Sequence, residues 1–213
     1  MISEAVYLSY LIDEHTPNYG GVKGSILINK VRSIEKGDNS NNLELTFPGH
    51  IGTHIDFPYH FSNSGKKLED YPASFWLFNK IGFINCEIND VESSIKNIPS
   101  DIECLILKTG FGKNRGADIY WAEQPVIPAY FADLFREKFT QLRVFGFDLI
   151  SLTSKLNRVE GKKAHLQFLI QNNILVLEDM NLEKINKAPS KLIISPLQIK
   201  SADGVPCTVI AYQ

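Results

Sequence analysis

Several residue types are scarce in this chain, and each shortage removes a class of protein. Cysteine occurs three times in 213 residues, as Cys86, Cys104 and Cys207, odd in number and far apart. Such a set cannot build a disulfide framework, contains no C-x-x-C pair of the zinc-thiolate kind, and points to a reducing compartment, the cytoplasm by default. Charge of one sign is also lacking: 22 Lys and Arg against 24 Asp and Glu leave a net charge of −2. The pairs Lys66-Lys67 and Lys162-Lys163 read as solvated surface, and without a basic stripe nucleic acid is not an expected partner. Long apolar runs are missing. The opening "MISEAVYLSYLIDEHTP" has no basic n-region and is broken by Glu4, Asp13 and Glu14, so neither a secretory signal nor a membrane span is expected. No G-x-S-x-G occurs, and no cysteine has a local activating motif, which leaves a serine or cysteine hydrolase without support.

What remains is ordinary globular composition, 44% hydrophobic and 22% charged, enough for a core and too apolar for disorder. With no repeat, low-complexity tract or linker, residues 1–213 are expected to form a single domain. Strands are predicted over 5–12, 25–35, 43–47, 81–88 and 103–110, with a turn over 36–42. Apolar spacing at Phe131, Leu134, Phe135 and Phe139 predicts a helix over 128–141, with Pro128 in its first turn. A buried strand over 142–151, a helix over 162–173, a strand over 174–179, and strands in 191–199 and 207–212 complete the order. A β-rich half followed by alternating β and α elements predicts a mixed α/β fold with a substantial sheet and few helices.

Histidine is rare, five in all, yet "PGHIGTHIDFPYHF" (48–61) holds His50, His54 and His60, with Asp56 between the last two. In an extended chain alternate residues share a face. Positions 50, 54, 56 and 60 then lie on one side, and Ile51, Thr53, Ile55, Phe57 and Tyr59 on the other. Residues two apart lie roughly 6.6 Å apart and residues four apart about 13 Å. His54 and Asp56 can therefore share an ion directly, whereas His50 can join only if the chain curls, which Gly49 and Gly52 allow. The donors are nitrogen and oxygen with no thiolate, which suits Zn²⁺, Mn²⁺ or Fe²⁺. His165 and Glu178, carried to one end of the sheet by a helix, a turn and a returning strand, are candidates for further ligands or for groups that orient the first. His15 sits in a loop without an assigned role. Tyr71, Phe75, Trp76 and Trp121 could line a pocket or serve ordinary packing.

The segment "HIGTHIDFPYH" is similar to the H-x-G-T-H-x-D-x-P-x-H motif of the Putative cyclase family, which includes bacterial kynurenine formamidases and isatin-hydrolase-like enzymes. All seven specified positions match. The stretches "LKTGF" (107–111), "FGFDLISL" (145–152) and "HLQFLIQNNILVLEDMNL" (165–182) resemble further parts of the family pattern. "DGVPCTVIA" (203–211) resembles its closing segment but departs from it at Cys207 and Thr208, a difference that bears on the substrate.

The resemblance implies a three-layer swivelling β/β/α fold, a homodimer or homotetramer, and one or two ions, Zn²⁺ or Mn²⁺. By motif position His50, His54 and Asp56 would bind one ion, and Asp56 would bridge to a second held with His165 and Glu178. His60 would be the catalytic acid/base. The implied activity is hydrolysis of a small amide, with N-formylkynurenine as the first candidate and another cyclic amide, lactam or ester as the alternative. A metal-containing binding protein without turnover is the competing reading from another class.

Overall fold

The computed structural model describes residues 4–22 and 24–213; the first three residues of the opening stretch lie outside it. Its strands are β1 (Ala5–Tyr7), β2 (Leu27–Arg32), β3 (Asn42–Thr46), β4 (His54–Asp56), β5 (Leu77–Phe78), β6 (Ile81–Asn85), β7 (Cys104–Lys108), β8 (Val144–Phe147), β9 (Leu175–Glu178), β10 (Lys191–Pro196) and β11 (Gly204–Tyr212). The α-helices are α1 (Val91–Ser94), α2 (Asp118–Ala122), α3 (Phe131–Lys138) and α4 (Arg158–His165), the last running on into a π-helical turn at Leu166–Gln171. The fold is mixed α/β, as the order of elements predicts.

Nine strands form the main sheet, in the order β5-β10-β11-β4-β9-β8-β7-β6, with β1 also paired to β11. Strands β6 to β9 run parallel. They are short apolar runs such as "CLIL" and "VFGF", the composition expected of strands covered on both faces. β4 runs antiparallel between β9 and β11. β11 is the longest strand and joins two halves: Gly204–Pro206 pair with β4, and Cys207–Tyr212 pair with β10. Phe135 of α3, Phe145 of β8 and Phe168 of the π-turn meet with ring centroids 5.1–6.0 Å apart, fixing the helices on the parallel strands. Among the described residues no helix is long and apolar enough to cross a membrane.

Three of the differences from expectation have local reasons. The first strand stops at Tyr7 because the Ser9 hydroxyl accepts the Val209 N–H that a continuing strand would have taken. α3 is shorter than 128–141. Its end is closed by the Arg136 guanidinium, which donates to the carbonyls of Phe139, Thr140, Leu142 and Asn172. α4 begins four residues before the expected start because Asn157 caps it, its side chain accepting the Glu160 N–H.

Gly161 of α4 packs on Thr153 so closely that a Cβ there would lie 2.6 Å from the Thr153 Cα. Backbone cannot yield as a side-chain tip can, so Gly161→Ala is expected to destabilise the fold by about 1–3 kcal/mol. The check is the urea midpoint, which should fall without a change in slope.

Candidate metal centre

β4 is central to the sheet and holds two of the expected donors. Its register with β9 sets His54 directly opposite Glu178, and Asp56 follows on the same face two residues on. The apolar side of the segment is buried as the alternation predicts: Ile51, Ile55 and Phe57 are each 1% exposed or less. His50 is brought back toward Asp56 by the bend the distances require. Gly52 adopts φ +58°, a conformation that side chains disfavour. Gly204 leaves its side-chain position to the His50 ring, since a Cβ there would collide with the imidazole. His165 arrives from the last turn of α4. All six sequence-predicted residues, His50, His54, Asp56, His60, His165 and Glu178, line one cavity of about 330 Å³.

Two donor groups share Asp56. One is His50, His54 and Asp56; the other is Asp56, His165 and Glu178. Ligands about 2.1 Å from a common tetrahedral ion lie roughly 3.4 Å from one another. The His54 Nε2 is 3.2 Å from Glu178 Oε2 and 3.5 Å from Asp56 Oδ1. The His165 Nε2 is 3.4 Å from Asp56 Oδ2 and 3.6 Å from Glu178 Oε1. Within the two groups, the 3.4–3.6 Å gaps from His54 to Asp56 and from His165 to Asp56 and Glu178 are close to that edge length, while His54 and Glu178, at 3.2 Å, join one group to the other. The His50 Nδ1 is closer, 2.8 Å from Asp56 Oδ1, and there makes a hydrogen bond.

Ring orientation supports the same fit. The Nδ1–H groups of His54 and His165 donate to the carbonyls of Gly52 (2.8 Å) and Gly161 (2.9 Å). A carbonyl can only accept, so Nδ1 keeps its hydrogen and Nε2, facing the carboxylates, is the nitrogen that would give up its proton to an ion. Phe61 stacks on His165 at 4.6 Å, and Glu178 Oε1 accepts the Leu152 N–H at 2.6 Å. Asp56 and Glu178 are almost wholly buried, and two buried carboxylates side by side need compensating positive charge.

In the protein alone that charge is protonic. Burial by itself would lower the His165 and His50 pKa values. Hydrogen bonds and the charges of Asp56 and Glu178 around His165 overcome it and push His165 up to about 10; Asp56 and Asp203 push His50 up to about 9. Burial raises the Asp56 carboxyl, but its hydrogen bonds to His165 and His50 and the nearby imidazoles hold it well below the ordinary range.

Sequence reasoning missed Asp203, whose Oδ2 lies 3.0 Å from His50 Nε2 and 2.9 Å from His60 Nδ1. It is 143 residues from His60 in sequence, and its one signal was its place before Gly204 in the closing segment. Also missed was the clamp below the site. Arg115 grips Asp179 through Nε and a terminal nitrogen at 2.9–3.0 Å, Tyr120 donates to Asp179 at 2.7 Å, and Asp179 is held at φ +50° beside Glu178. Thr53 makes no hydrogen bond to Asp56 or Glu178. Its hydroxyl accepts the Tyr10 N–H and donates to the Asp179 carbonyl, tying the histidine segment to β9.

Of the other candidates, His15 is exposed and lies outside the donor groups. Tyr71, Phe75 and Trp76 pack together, Tyr71 and Trp76 also against Phe57, away from the cavity. Trp121 meets the edge of Tyr19, itself a wall of the cavity. The three cysteines are free and none lines this cavity; burial pushes the Cys104 thiol up to about 12, far from a reactive thiolate.

The raised histidines make the metal-free protein pH-sensitive. Their ordinary value is ~6.5, so the stability they contribute is complete below ~6.5 and is lost as pH rises through about 9 to 10. Thermal unfolding of the metal-free protein should show Tm falling across that window. A bound dication replaces the protons, so Zn²⁺ added near neutral pH in weak buffer should acidify the solution.

The model of the family described as Putative cyclase matches residues 6–153. The kynurenine formamidase of Bacillus thuringiensis (strain Al Hakam) is 32% identical over 184 residues, covering 84% of this chain and 83% of the relative. That of Geobacillus thermodenitrificans is 27% identical over 222 residues, covering 97% and 96%. Among solved structures, an isatin hydrolase bound to the product analogue thioisatinate has a TM-score of 0.79 at 17% identity, covering 100% of this chain and 93% of its own. A predicted metal-dependent hydrolase from Bacillus stearothermophilus has a TM-score of 0.75 at 17% identity, with 98% of each chain covered. By its motif, its fold and the extent of these matches, the chain belongs to the Putative cyclase family.

Proposed function

We propose that this amidohydrolase cleaves the C–N bond of a small aromatic amide, with N-formylkynurenine, giving kynurenine and formate, as the leading substrate, and a cyclic amide, lactam or ester of isatin type as the alternative. The observation that carries the reading is the graded cavity. Its floor is a buried set of imidazole nitrogens and carboxylate oxygens turned inward, and its rim carries His60, whose side chain is 32% exposed. Tyr19, Phe61, Pro48 and Ile150 add apolar wall, suited to a flat ring, and about 330 Å³ suits a small molecule. The kynurenine formamidase names of the relatives support the amide.

Zn²⁺ or Mn²⁺, one ion with His50, His54 and Asp56 and a second with Asp56, His165 and Glu178, would polarise the scissile carbonyl and make water a better nucleophile near pH 7. The chain's own part is positional and protonic. His54 and His165 keep their tautomers through Gly52 and Gly161. His60, with Nδ1 occupied by Asp203, has Nε2 left to take a proton from the attacking water and return it to the leaving nitrogen. Buried Phe57 and Ile51 keep bulk water from the back of the floor.

Chelation is expected to abolish hydrolysis and readdition of Zn²⁺ or Mn²⁺ to restore it. His60→Ala should retain its metal while kcat for N-formylkynurenine drops about 10²–10⁴-fold. Steady-state assays beside elemental analysis test both, and a His60→Ala protein working at the parent rate would remove the assigned role.

The 213 residues are read as a single domain on the strength of one continuous buried cluster, and the three free thiols support a cytoplasmic location. A homodimer or homotetramer is supported by the β2–β3 hairpin. Among the described residues it pairs with no other strand, and it exposes Leu27, Val31, Leu43 and Leu45, each by half or more. Isolated hairpins are marginal in water, so a second copy covering these residues accounts for it. Leu43→Glu with Leu45→Glu is then expected to shift light-scattering mass toward that of one chain.

A further inference from the structure

We propose that Asp203 is a positioning residue that sets the tautomer of the acid/base His60, the same carboxylate oxygen also holding the His50 ring in place. This rests on the hydrolase reading above for its kinetic consequence, and on geometry alone for the placement.

A single oxygen, Asp203 Oδ2, faces two ring nitrogens, His50 Nε2 at 3.0 Å and His60 Nδ1 at 2.9 Å. An ionised carboxylate only accepts, so both nitrogens carry hydrogen. For His60 this leaves Nε2 for substrate; His50 Nδ1 also faces a carboxylate, Asp56 at 2.8 Å, and so carries hydrogen too, which means Asp203 fixes the place of the His50 ring and not its tautomer. The two rings lie one over the other with centroids 4.0 Å apart and planes 34° apart, so neither can turn freely without meeting the other.

The contrast with the other two imidazoles is informative. His54 and His165 are fixed by neutral backbone carbonyls that cannot move. His50 and His60 instead share one side-chain carboxylate oxygen as their partner. Asp203 is suited to this task because its own backbone is held independently of its side chain. The Phe57 N–H donates to the Asp203 carbonyl at 2.9 Å, and Gly204 pairs with Asp56 in the next register position. The adjoining glycine leaves the space into which the His50 ring fits. The Asp-Gly pair at the start of β11 thus acts as a unit, glycine making room and aspartate supplying the anchor.

The test reads tautomers directly. Protein labelled with ¹⁵N-histidine is examined by long-range ¹H–¹⁵N NMR, metal-free and loaded with Zn²⁺, with His60→Ala used to assign the His60 ring. The parent protein should show His60 as the Nδ1–H form in both states. In Asp203→Asn the His60 signals should move toward an average of the two forms. With N-formylkynurenine or isatin, whichever the parent turns over, Asp203→Asn should lose about 10–100-fold in kcat with KM within about threefold and metal content unchanged. Asp203→Glu should recover part of the loss. His60→Ala with Asp203→Asn should be no slower than His60→Ala alone by more than about threefold, because the two act on one step.

An Nε2–H form of His60 in the parent protein overturns the proposal without any variant. So does an unchanged His60 tautomer in Asp203→Asn, a multiplicative loss in the double variant, or loss of an equivalent of ion, which would make Asp203 a ligand. If the parent hydrolyses neither substrate while the tautomer still depends on Asp203, the functional reading fails and the placement of Asp203 stands.

Discussion

The antiparallel register of β4 on β9 governs the site, because it sets His54 opposite Glu178 and leaves Asp56 two residues away on the same face. A shift of one residue would send these side chains to the opposite side of the sheet and bring Ile55 to the cavity. The register is guarded by more than ladder bonds. Ile55 and Phe57 are wholly buried on the reverse face, and the Thr53 hydroxyl reaches the Asp179 carbonyl at the end of β9. The Arg115 and Tyr120 grip on Asp179 holds the far side of that tie. Binding chemistry and strand register are therefore maintained by the same few residues.

Two buried carboxylates would be a liability in most cores. Here the cost is offset by three imidazoles, His50, His54 and His165, each turning one nitrogen toward the carboxylates while the other is held by Asp203 or a backbone carbonyl. The cavity can consequently exchange protons for a divalent cation with little rearrangement, since the rings already point inward. The same economy explains why glycine recurs around the site. Gly52 makes the bend that returns His50, and Gly204 vacates the space the ring fills.

Much of this was legible in the chain. The alternation in 48–61 separated the polar face that lines the cavity from the buried face, and the spacing argument required the bend that Gly52 supplies. His165 and Glu178 could be proposed because a helix and a returning strand were evident in 162–179. Asp203 was not legible, because a lone carboxylate near the far end of the sequence gains meaning only when β11 pairs with β4. Boundaries failed where side chains replaced backbone partners: Ser9 ended the first strand, Asn157 began α4 early, and Arg136 closed α3. Each is a local hydrogen bond that periodicity does not report.

The exposure gradient across the cavity has a kinetic meaning. Asp56, Glu178, His54 and His165 are at most 5% exposed, whereas His60 and Asp203 have side chains 32% and 46% exposed. An ion seated on such a floor would leave only when several buried groups let go together, on the timescale of local opening. A proton or a product at the rim meets solvent at once. Residence time would thus be graded with depth, long for an ion and short for whatever is turned over, with one fold setting both clocks.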